Sequence, residues 1–131
     1  MRISRQLLDD VIAHAREDAP NECCGMIASS DGEAVVVHRA TNTAASPFRY
    51  EMDGMEQYRI QTEIDDAGHE LGAIYHSHTR SAPEPSQTDI NLAFYPDALY
   101  VIVGLKDDEA DVRAWTIAGG KVSEARLEIV P

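Results

Sequence analysis

The sequence predicts an α/β fold, a mixed central sheet with helices packed against it. Two observations carry this. Apolar residues switch along the chain between helical spacing and the alternation of strands, and turn-forming residues fall between the periodic segments. The resulting order, α-β-β-α-β-α-β-β-β, is that of helices laid on a sheet.

Each element has its own local signal. Ser4 stands where an N-cap belongs. Leu7, Leu8, Val11, Ile12 and Ala15 then recur at helical spacing, and Pro20 closes the segment. His14 falls on this helix away from its apolar stripe. Residues 23–29 and 33–39 read as strands around a turn at Asp31-Gly32, a hairpin. Residues 41–50, rich in Thr, Ser, Ala and Asn and containing Pro47, read as loop. Residues 53–67 form a second helix with Met55, Ile60 and Ile64 on roughly one side. Residues 70–78 run through Leu71, Ala73, Ile74 and Tyr75 as a largely buried strand ending in histidines. Residues 81–85, with two prolines, exclude regular structure. A third helix starts at Ser86 and carries Ile90, Leu92 and Ala93 before Pro96. Three strands complete the chain, at residues 99–105, 111–117 and 121–130, the last two joined by Gly119-Gly120.

Bulk properties bound the function. At 131 residues the chain is read as one domain spanning 1–131, long enough to bury a core without disulfides. No apolar run approaches the roughly 20 residues that cross a bilayer. Met1-Arg2-Ile3-Ser4-Arg5 leads into Asp9 and Asp10 without an apolar leader, so a cytoplasmic location is expected. With 23 acidic against 11 basic residues the net charge is −12, which repels phosphate backbones and argues against nucleic acid as the main partner. Cys23 and Cys24 are adjacent and bridge only with severe strain; they read as small buried hydrophobes. His38 and His69 read as ordinary.

The informative stretch runs from His76 to Asp89. Two histidines at i and i+2 on a strand share a face, because side chains alternate. Two imidazoles on one face can reach one metal ion, yet such a pair equally fits a polar strand end. After the proline-stiffened loop, Asp89 follows Ser86 by three residues, one turn into the predicted helix. Folded back, that end offers a carboxylate as third ligand; alone, the same two residues read as a capping box. Two histidines and a carboxylate leave a fourth position for water, the catalytic zinc arrangement. Such a site needs a base, and Glu22 stands at the start of a predicted strand, where a glutamate is otherwise a solvated surface residue.

Together, Glu22, His76-Ser77-His78, Ser86 and Asp89 resemble the JAMM (MPN+) metalloprotease signature at every required position. The resemblance implies one Zn²⁺ per chain bound by His76, His78 and Asp89. It implies Glu22 as general base and then acid, and Ser86 as hydrogen-bond donor to the oxyanion. It also implies the family's single-domain JAMM/MPN fold, similar to that of cytidine deaminases. Deaminase activity itself is not supported, since the Pro-Cys-x-x-Cys ligands are absent. Within the family, the minimal length and the His76-to-Asp89 segment look like the small bacterial members that release cysteine from the C-terminal glycine of ubiquitin-like sulfur-carrier proteins. The expected partner is therefore such a carrier with a Gly-Gly tail. Rival readings are an isopeptidase that removes ubiquitin-like modifiers from lysines and a metal-free MPN scaffold.

Overall fold

The computed structural model describes residues 1–131. Its elements are β1 (Arg2–Ser4), α1 (Arg5–Asp18), β2 (Cys24–Ser30), β3 (Glu33–Ala40), α2 (Gly54–Asp66), β4 (Glu70–His78), α3 (Gln87–Asn91), β5 (Leu99–Gly104), β6 (Asp111–Ala118), β7 (Lys121–Ala125) and β8 (Glu128–Val130). They build one eight-stranded sheet in the order β7-β6-β5-β4-β2-β3-β1-β8, parallel at β4–β5, β1–β3 and β1–β8 and antiparallel elsewhere. No helix is long and apolar enough to cross a membrane.

The helices take opposite faces. Leu8, Val11 and Ala15 of α1 pack on Cys23, Ile27, Ala73, Tyr75 and Val101. On the other face Ile60 and Ile64 of α2 cover Cys24, Met26 and Ala28, and Ile90 beside Ala93 covers Ile74 and Tyr100. Burying side chains of this kind stabilises by about 1.5–3 kcal/mol each, more than helix propensity supplies. Caps set the starts: Ser4 Oγ accepts from Leu7 N, and Asp53 from Glu56 N.

Four details differ from the sequence reading. Residues 121–130 are not one strand. The chain leaves β7 at Ala125 and, after two intervening residues, pairs as β8 with β1 at the opposite end of the strand order. Three Cα steps span at most about 11 Å. The sheet therefore curls, bringing the two ends of its strand order within that distance at this corner, with Ala125 and Leu127 packed on the core beneath α1. Strand β1, between β3 and β8, is three residues long, too short to leave a periodic signal. Met55 is 75% exposed while Ile60 and Ile64 are buried, so the second helix has a narrower apolar stripe than its composition suggests. Finally, His14 is buried, not turned away from the core. Its Nε2 lies 3.4 Å from Asp18, which only accepts, so Nδ1 accepts the Tyr75 hydroxyl at 2.6 Å. Burial holds the His14 pKa below the ordinary histidine value, against the nearby Asp18 charge.

Tyr75 also fixes Gly25, its partner in the β2–β4 register. A Cβ on Gly25 would stand 2.4 Å from the Tyr75 ring, which is fully buried. Gly25→Ala is therefore expected to destabilise the fold by about 1–3 kcal/mol or more. The same change should cost markedly less beside Tyr75→Leu. Denaturant unfolding of the two single variants and the double variant measures the coupling; strictly additive costs would refute this packing.

Candidate metal centre

Strand β4 lies inside the sheet, and its alternation sorts its side chains. Tyr75 and Ser77 face α1; Ile74, His76 and His78 face the side of α2 and α3. Ser77 Oγ accepts from Cys23 N at 2.8 Å, and Ser77 N donates to Cys23 O at 3.3 Å, which carries the β2 pairing past its first residue. Cys24 stands opposite His76, so Glu22, two residues earlier, comes level with His78.

The third residue arrives through α3. Ser86 Oγ accepts from Asp89 N at 3.1 Å and Ser86 N donates to Asp89 Oδ2 at 2.9 Å, a complete capping box. The loop before it is clamped from below. Trp115 Nε1 donates to Pro83 O at 2.9 Å, and Pro83 rests on Gly104, where a Cβ would come within 2.9 Å.

These constraints bring three atoms together. His76 Nε2 and His78 Nε2 are 3.1 Å apart, and Asp89 Oδ2 lies 3.2 and 3.0 Å from them. His78 Nδ1 faces Ala82 O at 2.9 Å; a carbonyl only accepts, so Nδ1 carries the hydrogen and Nε2 turns a lone pair inward. An inward lone pair and a carboxylate oxygen at this range form a nest for a cation. Metal–ligand bonds of about 2.0–2.1 Å at a tetrahedral angle separate ligand atoms by roughly 3.3 Å, so the three residues fit Zn²⁺ with a fourth position open. Cys23 and Cys24 are buried, unbridged and outside this cluster.

The surroundings set the charges. Burial favours the neutral form of His76 and lowers its pKa. Burial acts the same way on His78, but hydrogen bonds to Asp89 and Ala82 outweigh it and raise its pKa. Burial also opposes ionisation of Asp89, yet the bonds from both histidines and Ser86 N hold its carboxyl well below the usual carboxylate range. Glu22 is 3% exposed, and its Oε1 has no hydrogen-bond partner. Burial pushes its carboxyl up to about 8; Asp89 adds to the push and His78 opposes it. A carboxyl titrating near neutrality can both take and return a proton.

The sequence reading took residues 41–50 as the wall over the site but did not single out Asn42 as the residue that holds Glu22. Asn42 is 9% exposed: its amide donates to Glu22 O and Arg49 O, and its Oδ1 accepts from Ala44 N and Glu51 N. Glu22 N donates to Ser46 O at 2.9 Å. The segment between β3 and α2 is thereby strapped across the front of the site, and it stacks Tyr50 on the His76 ring at 4.6 Å. An Asn in a polar loop looks like any turn residue in the sequence. Beside Tyr50 opens a cleft of about 180 Å³, lined by Met26, Met52, Ile74, Phe94 and Tyr100 among others.

The match to known proteins agrees with the site. Residues 4–118 match the family model of prokaryotic homologues of the JAB domain. The chain is 37% identical over 131 residues to the CysO-cysteine peptidase of Mycobacterium tuberculosis, covering 98% of this chain and 90% of that one. It is 38% identical over 115 residues to the desampylase of Haloferax volcanii, covering 82% of each. A solved Desulfitobacterium hafniense protein superposes with a TM-score of 0.88 at 27% identity, over 98% of this chain and 92% of that one. The chain thus belongs to the prokaryotic JAB-domain family, the JAMM-type metal-dependent hydrolases.

Proposed function

We propose that this hydrolase cuts the amide bond at the C-terminal glycine of a ubiquitin-like sulfur-carrier protein and releases cysteine, acting in the cytoplasm as one domain. The convergence of His76 Nε2, His78 Nε2 and Asp89 Oδ2 beside the unpartnered, buried Glu22 Oε1 carries the hydrolytic part of this reading. The identity to a CysO-cysteine peptidase over nearly the full length supports the substrate.

Zn²⁺ in this site supplies a Lewis acid that brings the pKa of water to about 7. The chain's own residues do the rest. Glu22 accepts a proton and delivers it to the leaving nitrogen, a role its raised pKa suits. The Ser86 hydroxyl, whose oxygen already accepts from Asp89 N, keeps its hydrogen free to donate to the acyl oxygen as negative charge develops there. Tyr50 and the apolar cleft next to His76 offer a wall for an extended tail, with glycines at the metal because only they let the backbone pass close.

A second reading, removal of a ubiquitin-like modifier from lysine, draws on the likeness to a desampylase. A carrier–cysteine adduct and a carrier–lysine isopeptide offered side by side separate the two. Mass spectrometry is expected to show loss of one cysteine from the adduct, at a faster rate than isopeptide cleavage. The reverse ranking would favour the second reading.

Glu22→Gln is expected to retain zinc and lose hydrolysis by a factor on the order of 10²–10⁴. His78→Ala should lose the metal itself. Elemental analysis beside turnover checks both; a Glu22→Gln protein at wild-type rate would dismiss the base.

A further inference from the structure

The strand register arranges the site along a line. Met26 and Ile74, on the floor of the apolar cleft, face each other across β2 and β4. Cys24 and His76 come next, then Glu22 level with His78. Beyond that end Thr79 Oγ1 donates to Pro20 O at 3.0 Å, tying the exit of β4 to the segment that leads into Glu22. Arg80 follows Thr79. Cleft, metal ligands, base and Arg80 thus succeed one another in one direction.

Arg80 stands out electrostatically. In a chain of net charge −12, seven of nine arginines have a carboxylate within 4 Å: Arg2, Arg5, Arg39, Arg49, Arg59, Arg113 and Arg126. The two without one, Arg16 and Arg80, line the same depression of about 450 Å³ together with Pro20 and Thr79. Arg16 is partly engaged, donating to Asp108 O. The Arg80 guanidinium has no acceptor of its own and lies 5.7 Å from the centre of the ring of Phe48, a residue of the segment strapped across the site. Two arginines left without acids at one depression, where acids outnumber bases two to one, make a place for a carboxylate from outside the chain.

We propose that Arg80, with Arg16 behind it, binds the free α-carboxylate of the single residue released from the substrate's C-terminal glycine. The inference rests on the hydrolysis described above and sets its selectivity. Glu22 protonates the leaving nitrogen, so the leaving residue lies on the Glu22 side and the glycine tail on the cleft side. In a released α-amino acid the carboxylate is two bonds from that nitrogen, roughly 2.5 Å. The chain bends after His78, and the Arg80 Cα, two residues on, lies no more than about 7 Å from the His78 Cα, a span that an arginine side chain covers. A lysine isopeptide presents a methylene chain at that point and no carboxylate. The guanidinium fork therefore favours a terminal amino acid over a lysine side chain.

The test compares zinc-loaded wild type with Arg80→Gln, Arg80→Lys and Arg16→Gln on two substrates, a carrier ending in Gly-Gly-Cys acid and the same carrier ending in Gly-Gly-Cys amide. Wild type should prefer the acid by about tenfold in kcat/KM, chiefly through KM, as expected for one partly exposed charge-assisted pair. Arg80→Gln should bring the acid-to-amide ratio close to one, Arg80→Lys should keep part of it, and Arg16→Gln should reduce it less. Equal cleavage of acid and amide by wild type, or an unchanged ratio in Arg80→Gln, would overturn the carboxylate site while leaving carrier hydrolysis standing. Failure of wild type to cut either substrate while it cuts lysine isopeptides would overturn the proposed function, and this selectivity with it.

Discussion

Two imidazole nitrogens and a carboxylate oxygen held 3.0–3.2 Å apart need positive charge among them, either a proton in their hydrogen bonds or a metal cation. Much of the surrounding structure serves to hold them there. β4 is flanked by β2 and β5, so His76 and His78 have no freedom to splay. Asp89 is fixed by the capping box at the head of α3, and α3 is placed by a loop clamped between Trp115 and Gly104. Three elements distant in sequence thus converge on one point, which rewards a divalent cation and penalises its loss.

The same economy of contacts governs Glu22. It precedes β2, yet it is as deeply buried as a core residue. Its backbone is bonded to both Asn42 and Ser46, and its side chain faces the histidines with one oxygen unpaired. Desolvation, more than any neighbouring charge, raises its pKa into the range useful for moving protons at neutral pH. The segment that achieves this burial is also the one that stacks Tyr50 on His76, so the placing of Glu22 and the covering of His76 come from one loop.

Charge is distributed unevenly around this centre. Most arginines are spent on surface carboxylates, pairs worth at most about 1 kcal/mol each. Those contacts matter little for stability, but they leave a clear background. Against it, only Arg16 and Arg80 lack a carboxylate partner, and both line a depression apart from the apolar cleft.

Local signals in the sequence determined the α1 cap at Ser4, the hairpin through Asp31-Gly32, the extent of β4 and the alternation that pairs His76 with His78. Each depends on neighbours a few residues away, which a sequence displays directly. The candidate site was legible for the same reason: its His-to-Asp end has fixed short spacing, and Glu22 joined it through the family resemblance. The tertiary structure alone decided the rest. The division of residues 121–130 between the two ends of a curled sheet follows from closure around α1. The burial of His14 follows from Tyr75 waiting across the core to bond it. The role of Asn42, the cleft beside Tyr50 and the unpaired state of Arg80 depend on partners tens of residues away. Spacing along a chain carries no record of which distant groups will meet, because packing decides that only when the sheet closes.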